Sequence, residues 1–511
     1  MDARQRWTLI LTSVASLMVG LDLTVVTTAL NTIRLDLGAS IAELDWTINA
    51  YTLTIGVLLL TAAAVGDRLG RRRVLAAGLA VFTASSAACA LAPAIGVLIA
   101  ARAAQGIGTA MVLPQALALL SAAFPPETRG KAMGLFAGIT GLAILGGPVI
   151  GGMVVQGLAW QWIFWLNVPI GIALVPLVRR HMAEAHGPRT PFDVAGLALS
   201  GAGLLGLVWG LIRGNAAGWG SPQVYGSLAA GTALIAAFVA WERRARSPML
   251  PMSLFRNVRY VSANAAGFTM TAAMMSGVVF FVQYLQASLG EGPLAAGVRL
   301  LPLTATLFVV APIAGRFVAR LGERPIVVAG MLGQTAGLVW IALATGGSYP
   351  ALIPGMVLTG VGVSAAMPAA QNAAISSVSR EAIGTASGVY NAMRQVGGAF
   401  GIAIASAVFA AAGGFASPAA VSHGVRAALF VTAAISASGA LAGVGLRATR
   451  VAGLPASAPR VTAETATPAA LGLTWMIRPR PATIRWRSSP SSPGTCATPT
   501  RCSPGSGRRP R

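Results

Sequence analysis

The chain of 511 residues is 55% apolar and only 10% charged, with a formal net charge of +23. Soluble domains hold roughly 25% charged residues, so most of this chain belongs in lipid. Such a positive charge would suggest nucleic acid in a soluble protein, but here the basic residues sit at the margins of apolar runs, and no nucleic-acid partner is expected.

A bilayer core about 30 Å thick takes about 20 apolar residues per helix, and fourteen such runs can be counted before residue 447. The first, 8–30, contains LDLTVVTTAL, Leu21 to Leu30. It is too long for the apolar core of a secretory signal and reads as a retained span. The second, 46–66, leads into GDRLGRRR, Gly66 to Arg73, ahead of the third at 74–93. In that loop Asp67 is placed to cap the third span, while Arg68, Arg71, Arg72 and Arg73, around Gly70, can bind acids and helix C-termini or simply hold the loop inside. The fourth, 97–123, carries RAAQGIGTA, Arg102 to Ala110, which includes Gln105; Arg129 follows in the next inside loop. The fifth, 132–156, carries GGPVIGG, with Gly147, Pro148, Gly151 and Gly152. Its proline removes a backbone hydrogen bond and its glycines admit close helix approach, giving a bendable, tightly packed span. The sixth, 160–178, opens with WQWIFWLNVPIG, and 193–212 and 223–241 follow. PMLPMSLFRN, Pro248 to Asn257, precedes the ninth run at 261–286, and the last five are 298–315, 326–345, 350–372, 385–412 and 427–446. The thirteenth holds GTASGVYNAMRQVGGAFG, with Arg394 and Gln395.

With the N-terminus inside, the inside segments carry 20 of the 37 Lys and Arg, and the outside connections carry 4. This asymmetry places both ends of the array in the cytoplasm. AAVGDRLGRRRVLAAG, Ala63 to Gly78, recurs as GRFVARLGERPIVVAG, Gly315 to Gly330, at a shift of 252 residues; Gly106, Gly108 and Pro114 recur as Gly360, Gly362 and Pro368 at a shift of 254. The near-constant shift pairs spans 1 to 6 with spans 9 to 14, the plan of parallel halves around a central cavity. The expected organisation is an N-terminal six-helix half at 1–178, two inserted helices and flanking cytoplasmic loops at 179–260, a C-terminal six-helix half at 261–447, and a basic, Pro/Ser/Arg-rich tail at 448–511 in which disorder is expected. Cys89 lies in a span and Cys496 and Cys502 in the tail, so no disulfide framework is expected; the scattered His181, His186 and His423 suggest no metal site.

These segments, in this order, resemble the major facilitator superfamily, and specifically its fourteen-span drug:proton antiporter family. GDRLGRRR is similar to the superfamily's loop motif between spans 2 and 3, with Ala63 in place of its first Gly. RAAQGIGTA resembles the buried-Arg motif of span 4, and GGPVIGG the antiporter signature of span 5, with Ala143 where an earlier Gly is usual. Thr27, Asn31 and Gln161 depart from the family's Asn, Pro and Arg. The marks cover most of residues 7–447. The resemblance implies an all-α polytopic membrane protein with the major facilitator fold, 14 transmembrane helices arranged 6 + 2 + 6 and both termini cytoplasmic. It also implies a bacterial cytoplasmic membrane, no cofactor, and the proton gradient as the driving force. The expected partners are a small-molecule substrate, protons and membrane lipid, with the chain a monomer.

Only Asp22, Arg102 and Arg394 lie well inside the predicted spans, where an isolated charge costs roughly 2.5 to 3.5 kcal/mol. Asp22 and Arg102 lie about eight and about five residues from the outer boundary, a depth difference of roughly 5 Å, so the pair can meet. In the family fold their spans border one cavity, which makes Asp22 the leading proton carrier and Arg102 its partner; a static ion pair that fixes helix register is the other reading. Gln105, Arg394 and Gln395 are the expected substrate-cavity residues. Met270, Met274, Met275, Phe280 and Phe281 suit an adaptable cavity, or serve packing and lipid contact. No nucleophile-base set, metal-ligand cluster or GxxxxGK[ST] loop is found, so neither an enzyme nor an ATPase is expected. The expectation is a proton-driven exporter of apolar or cationic drugs or antibiotics. The alternatives are a dedicated exporter of one metabolite, such as an endogenous antibiotic, an amino acid or a siderophore, and a receptor that senses without transporting.

Overall fold

The computed structural model describes residues 1–187, 193–245, 248–306, 309–310, 321–378 and 382–446. Helices α1 (Ala3–Leu37), α2 (Ile41–Leu69), α3 (Arg71–Ala90), α4 (Ile95–Ala123) and α5 (Pro126–Gly157) follow one another through short turns. The short α6 (Trp162–Trp165) runs into α7 (Asn167–His181), after which come α8 (Val194–Ala217), α9 (Pro222–Glu242), α10 (Val258–Gln283) and α11 (Pro293–Arg299). The series ends with α12 (Glu323–Ala344), α13 (Tyr349–Ser376), α14 (Ile383–Ala412) and α15 (Pro418–Val444). Among the described residues there is no strand, and 13 helices are long and apolar enough to cross a membrane. Residues 307–308 and 311–315 of the expected tenth span, the 315–320 part of the repeat and the tail at 448–511 lie outside the described residues.

Local chemistry sets where the first helices begin and end. Asp2 and Gln5 form a reciprocal capping box at the start of α1, and Ser40 and Glu43 form another at the start of α2. The turn between them passes through Gly38 at φ +61°, a left-handed conformation that costs glycine nothing. The α2 to α3 turn passes through Gly70 at φ +108°. These turns name the two ends of the bundle used below, the Gly38 end and the Gly70 end.

Without a hydrophobic drive between helices in lipid, close backbone approach and polar contacts hold them together. Helices α1 to α7 pack among themselves, as do α10 and α12 to α15. The two sets meet where α2 packs on α14, α5 on α11, and α1 on α10, while α8 and α9 pair with each other and α8 rests on α2 and α14. The GGPVIGG segment is central to one seam. A Cβ on Gly151 would sit 2.5 Å from Thr28 Oγ1 and 2.8 Å from the Val25 carbonyl of α1, and one on Gly152 would meet Pro293 and Leu294 at the start of α11. Thr24 Oγ1 donates to the Ala143 carbonyl at 3.1 Å on the same α1–α5 contact. In α10, Met270, Phe280 and Phe281 are buried in apolar clusters of the later helices, and Met274 and Met275 are half-buried.

Candidate functional site

Asp22 of α1 and Arg102 of α4 do meet: Arg102 Nη1 donates to Asp22 Oδ2 at 2.5 Å. The guanidinium also donates from Nη1 to Gln105 Oε1 at 2.7 Å and from Nε to the Thr47 carbonyl of α2 at 3.1 Å, and its carbon lies 4.1 Å from the Tyr51 ring centroid. Asp22 Oδ1 accepts from Gln105 Nε2 at 2.8 Å and from Asn167 Nδ2 at 3.1 Å. Both of those amides donate to Ser86 Oγ, which in turn donates to the Phe164 carbonyl. Accepting from three N–H groups suits the ionised carboxylate, and a planar guanidinium suits several acceptors at once.

The cluster is enclosed. Arg102 and Gln105 are 0% exposed and Asp22 2%. Five separate helices supply it, namely α1, α2, α3, α4 and α7, so it cross-links much of the first set of helices. Gln105 is thus a member of this network and lines no open cavity in this conformation. The sequence reading missed Asn167 and Ser86, because neutral polar residues in apolar helices carry no signal until their neighbours are known.

The GDRLGRRR loop is built differently from expectation. Asp67 does not cap α3; its Oδ1 accepts from Arg71 Nε at 2.8 Å, one turn along the chain. The cap comes from Glu184, in the segment after α7, whose Oε1 accepts from the Arg72 backbone N at 2.8 Å and whose carboxylate also lies 3.5 Å from Arg72 and 3.7 Å from Arg73. The same segment supplies the Ala185 carbonyl to the Arg71 N–H at 2.8 Å and takes the Asp67 carbonyl for the Gly187 N–H at 3.1 Å. Arg68 is exposed. Arg129 donates to the Phe124 carbonyl at 3.3 Å rather than to the Asp67 cluster. In the later helices Arg394 is half-buried and donates to Thr271 Oγ1 at 3.2 Å, with Gln395 half-buried beside it on α14.

A second acid lies inside the bundle. The capping box starts α2 at Ile41, five residues before the expected span, and so takes Asp45 into the helix. Asp45 is 5% exposed and accepts from Ser406 Oγ of α14, across the seam between the two helix sets. The Ser-x-x-Glu spacing of Ser40 and Glu43 was the signal that could have found it. Other contacts close the same end. Gln286 Nε2, in the π-helical turn Tyr284–Ser288, donates to the Thr28 carbonyl at 2.8 Å, the Leu294 N–H donates to Gln156 Oε1 at 3.2 Å, and the Arg34 guanidinium lies 4.4 Å from the Phe415 ring centroid. Between described residues, every side-chain hydrogen bond joining α1–α7 to α10–α15 belongs to the Gly38 half of the bundle.

A family model described as the Major Facilitator Superfamily matches residues 12–402 and, overlapping it, 265–489. The chain is 35% identical over 409 residues to the tetracenomycin C resistance and export protein of Streptomyces glaucescens, covering 79% of this chain and 76% of that one. It is 34% identical over 413 residues to the multidrug resistance protein Stp of Mycobacterium tuberculosis (strain CDC 1551 / Oshkosh), covering 80% and 77%, and 33% identical over 420 residues to the puromycin resistance protein pur8 of Streptomyces alboniger, covering 80% and 82%. A crystal structure of a POT family transporter in complex with a thioalcohol-conjugated peptide shares the fold at a TM-score of 0.63 and 14% identity, over 85% of this chain and 93% of that one. With its many apolar helices, a family model spanning most of its length, and relatives named for antibiotic and multidrug resistance and export, this multi-pass membrane protein belongs to the major facilitator superfamily, in its drug efflux family.

Proposed function

We propose that the chain is a proton-coupled antiporter that exports small apolar or cationic drugs and antibiotics across the bacterial cytoplasmic membrane. The observation that carries the reading is the Asp22–Arg102–Gln105 network, an ion pair buried among five helices of a protein whose relatives are named for drug export. A buried pair is a poor source of stability, since its desolvation cost rivals its attraction. It suits a device that holds one protonation state in one conformation.

In this reading the helices are arranged as six, two inserted, and six, with both ends of the array in the cytoplasm. The lateral packing of α8 and α9 supports the insertion, and the basic asymmetry supports the orientation. The Gly38 end then faces outside, and the conformation is closed to the outside with Asp22 ionised and held by Arg102. Opening the Gly38 end admits water to the network. A proton taken by Asp22 there removes the charge that Arg102 binds, and its release on the cytoplasmic side restores the pair while substrate enters. Moving one charge through 100 mV supplies about 2.3 kcal/mol, which sustains a roughly 50-fold gradient at about 1.4 kcal/mol per decade. Asp67, Arg68 and Arg71 to Arg73 form the cytoplasmic gating loop, Arg129 joins it in the other conformation, and Arg394 and Gln395 line the substrate path. The protein works without a cofactor and as a monomer.

The test is efflux from inverted vesicles with an imposed pH gradient, alongside a resistance panel in a pump-deleted bacterial host. Collapse of the gradient should stop accumulation of the exported compound; accumulation that persists would refute proton coupling. Resistance to several unrelated compounds is expected, and protection against one alone would instead identify a dedicated exporter.

A further inference from the structure

Asp45 is an acid buried at the boundary between the two helix sets. Its partner, Ser406, is a hydroxyl on the opposing helix set, and the ion pairs among the described residues do not include Asp45. The charged groups on the elements around it are engaged elsewhere. On α1, Arg34 binds Asn31 and lies over Phe415, Asp36 accepts from Trp160, and Asp22 holds Arg102. Glu43 caps its own helix at Ser40, Arg213 of α8 lies over Trp209, Arg394 of α14 bonds Thr271, and Arg71 to Arg73 of α3 lie at the Gly70 end. An ionised carboxylate shut into this seam would be a buried charge facing only a hydroxyl, and such a charge is strongly disfavoured. The neutral acid fits better, because it carries no charge and its O–H can donate to Ser406 Oγ.

The geometry points to Asp45 as a proton-dependent latch on the Gly38 end: the seam between α2 and α14 closes only when Asp45 has taken a proton from the water on that side. The step is a single proton transfer from water to the carboxylate in the open seam, and the proton returns to water when the seam reopens. The latch deepens the reading of the chain as a proton-driven exporter, since it makes the return to the closed-outside state depend on an external proton. Helix α2 also ties the latch to the buried pair, because the Thr47 carbonyl, two residues beyond Asp45, holds Arg102 Nε.

The test is a distance measurement between spin labels at Leu35→Cys and Ala416→Cys, both exposed at the Gly38 end. Cys496→Ser and Cys502→Ser leave only the buried Cys89, and the full chain is measured in detergent across a pH series. In the otherwise native protein the ratio of closed to open distances should rise as pH falls, by about tenfold per pH unit at most for one linked proton. Asp45→Asn should lose that rise, the ratio increasing by less than about twofold as pH falls. Asp36→Asn and Glu43→Gln should titrate like the native protein. Ser406→Ala keeps the acid and removes its partner, so its transition should move to lower pH by about half to one unit, the worth of one hydrogen bond. A native distance that does not titrate, an Asp45→Asn protein that titrates like the native one, or an unmoved transition in Ser406→Ala overturns the latch. The vesicle efflux assay is read separately: gradient-driven efflux with no Asp45-dependent titration sinks the latch alone, whereas efflux indifferent to the gradient sinks the antiport reading whatever the labels report.

Discussion

Replacing Asp22 by Asn separates a coupling acid from a structural one. The substitution leaves Arg102 with full charge, 0% exposed, and without its acidic partner. Whichever way the new amide turns, it cannot accept at both positions, and its NH₂ meets either Arg102 Nη1 or the N–H groups of Gln105 and Asn167. Breaking one member of a buried pair costs about 3 to 5 kcal/mol. At about 1.4 kcal/mol per decade, the closed conformation should lose roughly 10² to 4 × 10³ in population relative to one that hydrates Arg102. Active efflux and substrate-induced proton release from inverted vesicles should therefore fall to background, with membrane insertion retained. The double variant Asp22→Asn, Arg102→Met removes the stranded charge and should recover much of the lost thermal stability in detergent. Its proton release should stay absent, because no acid remains at the site. Recovered proton-driven efflux in the double variant would refute the coupling role and leave the pair as a register clamp.

Further outcomes follow from the loop and the seams. Glu184→Gln weakens the cap on α3 and should lower stability by about 0.5 to 2 kcal/mol in detergent melting, while Asp67→Asn should keep normal membrane levels and lose most transport in the resistance assay. Gly152→Ala should separate α5 from α11, because its Cβ would lie 2.7 Å from Leu294 Cα, and transport should drop more than tenfold at equal protein amount, about 1.4 kcal/mol or more; native activity would show that the seam has slack. Reporter fusions after Ala92, Gly157 and Ser348 should read outside, and those after Arg73, Arg180 and Arg246 inside, with any reversal after α7 contradicting the orientation.

Much of this molecule is legible in its sequence because lipid imposes a simple rule: long apolar runs become helices. The Asp22–Arg102 pair is legible for the same reason, since two charges at matching depth in apolar helices need one another. What escaped depends on tertiary neighbours. Glu184 reads as an ordinary loop acid until α7 ends beside α3. Asp67 reads as a cap because it precedes α3, but α2 continues through Leu69 and turns at Gly70, so Asp67 stays on the last turn of α2 and faces Arg71. Asp45 escapes because hydropathy puts the boundary at Trp46, where apolar character begins, and not at Ser40, where the backbone is capped. Ser406 has no signal of its own, since one hydroxyl in an apolar helix is unremarked until an acid faces it.

The segment 183–187 has a consequence for redesign of the scaffold. Arg71 and Arg72 take acceptors for their backbone N–H groups from Ala185 and Glu184, and Asp67 lends its carbonyl to Gly187. A shortened, twelve-span version made by excising α8 and α9 therefore has a natural cut site after Gly187, because a junction placed closer to His181 would strip the α2–α3 turn of the strap that finishes it. Grafting this turn onto another carrier meets the same demand: the octapeptide travels only with its partner from the far side of α7.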